Sequence, residues 1–188
     1  MLQNPYSSTN KACYYIALFA VKSLILHPMT TLSQLSQNSR IWIYQSSRAF
    51  TADEVHQINT LATEFVNTWS AHGAALKAAA EILHNRFLVI GVDEQQATAS
   101  GCSIDKSVAL VKKIEADFNT DLLDRMQIAY RKEGELKTCK LPQVSNLLEK
   151  GELTENTIIF NNLVTTKKDW ETNWEIPLKD SWILQTVN

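Results

Sequence analysis

The residues best placed for chemistry are Ala99-Ser100-Gly101-Cys102-Ser103-Ile104-Asp105, between a strand-like run ending at Asp93-Glu94 and an amphipathic helix. Cys102, two hydroxyls and a carboxylate stand where a helix begins. The unpaired N–H groups and the dipole of a helix start favour an anion there, a thiolate included. Such a thiolate would act as a nucleophile with His72 as its base and Asp93 or Asp105 orienting the imidazole. Asp93 and Glu94 oppose this, because nearby carboxylates raise a thiol pKa. A second reading makes Asp93, Glu94, Ser100, Gly101, Ser103 and Asp105 contacts to a small ligand beside Cys102. The plainest reading is structural, with Cys102 as a small packing residue, Ser103 as the helix cap and Asp105 as a first-turn acid. His72, His84, Asp93 and Glu94 show neither H-x-x-x-H nor D-x-D-x-D spacing, so no metal site is expected. No cofactor is expected either.

The other candidate surface is aromatic. Trp170 and Trp174 are four residues apart and share a helix face in a polar tail that also carries Trp182. That tail either wraps the sheet with tryptophan as its anchor or presents Trp170, Trp174 and Trp182 to a protein partner. Trp42 and Trp69 fall on core-facing positions. His84 reads as a turn residue and His56 as an exposed helix residue.

These groups must be held by elements whose signals are local. Residues 41–44 (Ile-Trp-Ile-Tyr) read as a buried strand. Thr51 opens a helix through the capping box Thr51/Glu54, with Phe50 and Val55 at the staple positions. Val55, Ile58, Leu61, Ala62, Phe65, Val66 and Trp69 then recur at helical spacing, and Gly73 serves as the C-cap. The alanine-rich stretch 74–80 could extend a helix, but the favoured reading pairs residues 75–83 and 87–92 as a hairpin across His84-Asn85-Arg86. Ile104, Val108, Val111, Ile114 and Phe118 mark a second helix. Strands follow at 126–130 and 136–140, with a short helix at 142–150, a strand at 157–160 and a helical turn at 169–174.

The order predicts an α+β fold: a ferredoxin-like split β-α-β-β-α-β core with a C-terminal β-α-β extension. In that topology the loop 93–102 lies at the same end of the sheet as the loop 70–74, bringing Trp69 and His72 toward Cys102. Residues 29–188 are expected to form a single α+β domain, and the open sheet edge leaves an edge-paired homodimer as one assembly.

The chain has 188 residues, of which 45% are hydrophobic, enough for a sizeable core, and only five glycines and four prolines. A formal net charge of −2 gives no footprint for nucleic acid or an anionic membrane. The pairs Lys112-Lys113 and Lys167-Lys168 sit beside acids and read as solvated helix faces. Cys13, Cys102 and Cys139 are odd in number and lack C-x-x-C spacing, which argues against a disulfide framework and for a reducing, cytoplasmic setting. Residues 12–21 form a ten-residue apolar run, too short for a membrane span of about 20 residues. Residues 1–28 are therefore a non-core segment with three readings: an artefact of a start that belongs at Met29, a targeting segment, or a docked amphipathic helix.

Several motifs together carry a resemblance: Ser39-Arg40-Ile41-Trp42-Ile43-Tyr44-Gln45-Ser46, Trp69-Ser70-Ala71-His72-Gly73, Asn85-Arg86-Phe87, Ser100-Gly101-Cys102-Ser103-Ile104-Asp105 and Phe160-Asn161-Asn162-Leu163-Val164. Over roughly residues 38–182 the chain resembles a family of small proteins, mainly from Bacteroidetes, often labelled ABC transporter ATPase. The resemblance implies a start shortly before the first strand. The label itself fails on chemistry, because none of Gly73, Gly91, Gly101, Gly134 and Gly151 begins G-x-x-x-x-G-K-[ST], and without it no backbone cradle holds the phosphates. The resemblance therefore carries over no functional residue. Residues 147–159, a short helix, a glycine and a strand, also resemble the tail of glycine-tyrosine-phenylalanine adaptor domains, which bind proline-rich peptides, without their Gly-Pro-aromatic signature.

The expected function is that of a small cytoplasmic binding or interaction protein, acting on a small ligand or a protein partner. The alternatives are a thiol-dependent enzyme using Cys102 with His72, and a partner surface on the tryptophan tail.

Overall fold

Every residue of β5 (Phe87–Asp93) is buried, and its apolar run lacks the alternation of a half-exposed strand. Such a strand needs cover on both faces and neighbours on both edges. Burying Phe87, Leu88, Val89, Ile90 and Val92 stabilises the fold by roughly 1.5–3 kcal/mol each before entropy is counted. The computed structural model describes residues 30–187, so the expectations for residues 1–28, Met29 and Cys13 lie outside the described residues.

The elements run β1 (Arg40–Gln45), α1 (Ala52–Thr68), β2 (Ser70–Ala71), β3 (Ala74–Ala75), β4 (Lys77–Leu83), β5, α2 (Gly101–Phe118), β6 (Gln127–Lys132), β7 (Glu135–Lys140), α3 (Val144–Glu149), β8 (Ile158–Phe160), α4 (Lys167–Asn173), β9 (Glu175–Pro177) and α5 (Trp182–Val187). Helices and antiparallel sheets together make an α+β protein. A first sheet has the order β1-β5-β4 and a second the order β7-β6-β8-β9, with β2 and β3 forming a small hairpin.

One face of the first sheet packs against α1 and α2, where Ile58, Ala62, Val66, Val111 and Ile114 meet Ala78, Leu88, Ile90 and Val92. The other face carries Ile41, Ala79, Phe87 and Val89 and is covered by Leu32, Leu35, Ala129, Phe160, Val164 and Trp174. Gly91 allows that second cover to sit close: a Cβ built there would lie 2.5 Å from Leu35 Cδ1. A third cluster lies within the second sheet and its helices, around Ile128, Val144, Ile159, Leu178 and Ile183.

β1, β4 and β5 pair in the order β1-β5-β4 that the split β-α-β-β-α-β reading requires of its first three strands, but β6 does not complete that sheet. Residues 165–167 take the first part of the β1 edge instead: Ile41 N–H donates to Thr165 O and Lys167 N–H to Ser39 O, each at 2.9 Å. β6 pairs along its whole length with β7, to which the two-residue turn Glu133-Gly134 ties it, and meets β8 only at Tyr130↔Ile159. Both turn residues have positive φ, 54° and 83°, as a type I′ hairpin demands.

The capping box is in place: Thr51 Oγ1 accepts from Glu54 N–H, and Thr51 N–H donates to the Glu54 carboxylate. Gly73 is not the C-cap of α1. The helix ends at Thr68 with Trp69 extended, and Gly73 (φ 83°) with His72 (φ 51°) turns the β2–β3 hairpin. Trp69 leaves the helix because its buried indole N–H reaches Ser103 O, at 2.8 Å, on the neighbouring helix.

Candidate functional site

The Trp69 to Ser103 bond brings the hairpin bearing His72 to the start of α2, at the end of the sheet where the sequence placed it. The residues there are occupied with holding the loop. The cap of α2 is Ser100, whose Oγ accepts from Ser103 N–H at 3.3 Å, while Ser103 Oγ donates back to Ser100 O at 2.7 Å. Ser103 is therefore the third helical residue and not the cap, and Asp105, two residues on, lies beyond the first turn. Gly101 is the first helical residue and is exposed, with open space where a Cβ would stand. Glu94 Oε1 accepts from Ala99 N–H. Burial pushes Asp93 upward, but the bonds from Gln95 N–H, Lys77 and Ser36 and the charge of Lys77 outweigh it and leave the carboxyl below its ordinary value. Cys102 and His72 are exposed, and among the described residues neither side chain has a hydrogen-bond or ion-pair partner. The described residues hold no group of three or more metal-ligating side chains, and none of their helices is long and apolar enough to cross a membrane.

The tryptophans divide. Trp174 is 6% exposed and sits 5.1 Å from both Phe87 and Phe160, ring centre to ring centre. Trp170 leans on it at 5.8 Å. Trp182 is half-buried on α5 and lines a cavity beside β1.

That cavity, of about 280 Å3, lies along the edge of β1 and is bounded by residues 41–45, 122–128, 160–165 and 182–183. Two anchors bracket the edge, Ile41 N–H on Thr165 O and Ser47 N–H on Asp121 O. Between them the antiparallel alternation turns the backbone groups of Trp42 and Tyr44 toward β5, and those of Ile43 and Gln45 into the cavity. The chain that follows β8 could have paired there, but it turns away at residues 161–164, where Val164 N–H closes on Asn161 O.

A chain of amides ends at the same place. Trp174 Nε1–H, which can only donate, fixes Asn162 Oδ1 as its acceptor at 3.1 Å. Asn162 Nδ2 therefore donates to Gln45 Oε1 at 2.8 Å. This leaves Gln45 Nε2 as a buried donor without an acceptor among the described residues, on a residue 4% exposed. An orphan donor of this kind costs about 1–3 kcal/mol. The mouth carries Leu123 and Leu163, two of the few exposed large apolar side chains among the described residues. Arg125 is exposed there without an ion-pair partner among the described residues, whereas its neighbour Asp124 is held by Lys140, whose ammonium lowers its pKa. Burial raises the Tyr44 phenol, against the charge of Arg125 and a bond with Ser107.

The sequence assigns no functional role to Gln45, Asn162, Ile43 or Arg125, although the first three lie within the motifs that carry the resemblance. The available signal was parity: Gln45 shares a strand face with Ile41 and Ile43, so an amide is placed where an apolar residue belongs. No family model matches the chain, and no curated protein or solved structure matches it.

Proposed function

We propose that this protein works by binding and not by turnover, and that its binding site is the cavity along the edge of β1. The observation that carries the reading is the buried Gln45 Nε2, held without an acceptor by the Trp174–Asn162 relay in the wall of a mixed apolar and polar cavity. Trp170 Nε1 is also buried and unpaired among the described residues but does not line this cavity, whereas a ligand acceptor in the cavity can satisfy Gln45 Nε2. A cavity of about 280 Å3 admits a small organic group or a short stretch of chain. Thiol chemistry at Cys102 with His72 as base has less support, because a nucleophile and its base belong within hydrogen-bond reach.

The test is a titration of the isotopically labelled protein with a library of small organic fragments, followed by backbone amide spectra. Saturable shifts clustered on residues 41–45, 122–128 and 160–165 support the cavity. Shifts confined to residues 93–105 and 70–74 would move the site back to the Cys102 loop.

A further inference from the structure

The reading above leaves open what kind of molecule enters the cavity, and the backbone of β1 constrains it more than the side chains do. The two edges of the first sheet are treated differently. On β4, the outward Ile82 N–H is capped by Asn59 Oδ1 at 2.9 Å and Glu81 Oε1 accepts from Leu32 N–H, so the stretch at residues 81–82 of that edge is occupied by the protein's own groups. On β1, Ile41 and Ser47 are anchored and, among the described residues, no strand pairs with the stretch between them. Six residue steps separate those anchors, about 20 Å of strand, which accommodates a neighbour of three or four residues at the usual interstrand spacing of about 4.8 Å. Sheet edges that are neither paired nor blocked are where proteins add a strand from another chain.

Resting on the cavity being the binding site, we infer that β1 accepts a short extended peptide segment as an added strand, with an acidic group of that segment facing Arg125. The peptide backbone pairs with the N–H and C=O of Ile43 and Gln45. One peptide carbonyl accepts from Gln45 Nε2 and completes the amide relay from Trp174. Leu123 and Leu163 cover apolar side chains at the mouth. The charge preference follows from the charged side chains that line the cavity: Asp124 is already neutralised by Lys140, and Arg125 has no ion-pair partner among the described residues.

The probe is a blocked pentapeptide of alternating valine and threonine with a central aspartate, compared with the same peptide N-methylated at every internal amide and with benzamide as a small ligand that cannot form a strand. The expected result is that the first peptide slows amide exchange at Ile43 and Gln45 by tenfold or more. Trp42 and Tyr44, already paired with β5, should change little. Full N-methylation should weaken binding at least tenfold, Gln45→Met should weaken it at least fivefold, and asparagine for aspartate should weaken it about threefold at low salt. Equal binding of the plain and N-methylated peptides, or binding without protection of Ile43, overturns strand addition. If benzamide still shifts the cavity amides in that case, the cavity remains the binding site. If neither peptide nor benzamide shifts them, both readings fall. Equal affinity of the aspartate and asparagine peptides overturns the role given to Arg125.

Discussion

Gly91→Ala tests how the second cover of the sheet is seated. A Cβ at this position would stand 2.5 Å from Leu35 Cδ1, 2.9 Å from Ile41 Cδ1 and 3.1 Å from Leu32 Cδ2. Comfortable carbon contacts are about 3.5–4.0 Å, so the new methyl is roughly 1 Å too close to Leu35. Leu32, Leu35 and Ile41 are 2–4% exposed, which leaves their ends little room to retreat. Overpacking of this kind costs about 1–3 kcal/mol. Replacing a strand glycine returns about 0.5–1 kcal/mol in backbone entropy. The net expectation is a loss of up to about 2.5 kcal/mol, a fall in Tm of up to about 10 °C for a chain of this size. The assay is denaturant unfolding of four proteins: wild type, Gly91→Ala, Leu35→Ala and the double variant. Leu35→Ala alone should cost about 2–5 kcal/mol through the cavity it leaves. In the double variant the methyl introduced by Gly91→Ala occupies part of that cavity. The combined loss should then fall short of the sum by at least about 0.5 kcal/mol, the ordinary size of coupling between touching residues. A stabilised Gly91→Ala, or strict additivity, would refute the packing of residues 32–35 on β5.

Two further outcomes follow from the ionisable groups. Glu54 is held down to about 2 by its bonds from Arg48 and then from Thr51 N–H. A depressed carboxyl contributes stability above its unfolded value of about 4.5 and loses it as the pH falls toward about 2. Glu54→Gln should therefore flatten the acid limb of Tm against pH across that window, and an unchanged limb would contradict the assignment. Burial pushes the Cys139 thiol up to about 11. In the native protein at about pH 8.5 it should be alkylated far more slowly than exposed Cys102, with a thiolate fraction on the order of a hundredfold below that of the same thiol in urea. The binding reading also expects His72→Ala to leave the Cys102 rate unchanged, and a clear change would support the thiol enzyme instead.

Short windows of residues determine the elements and most of their ends. The Thr51/Glu54 box marks where α1 starts, and the apolar run of β5 identifies a strand buried on both faces. Gly134 with Glu133 marks a type I′ turn. Local sequence misplaces the end of α1 at Gly73, because the bond that draws Trp69 out of the helix reaches a carbonyl 34 residues away. At the Ser100 loop, hydroxyls, a thiol and acids at a helix start look the same in sequence whether they cap or catalyse. Only the fold shows those hydroxyls and Glu94 occupied by the backbone. The cavity is invisible in sequence for a stronger reason. Its walls come from residues 41–45, 122–128, 160–165 and 182–183, and its amide relay joins Gln45 to Asn162 across 117 positions. Whether β6 or residues 165–167 take the β1 edge depends on segments competing for the same few N–H and C=O groups. That outcome is a small difference between large long-range terms, which no local periodicity encodes.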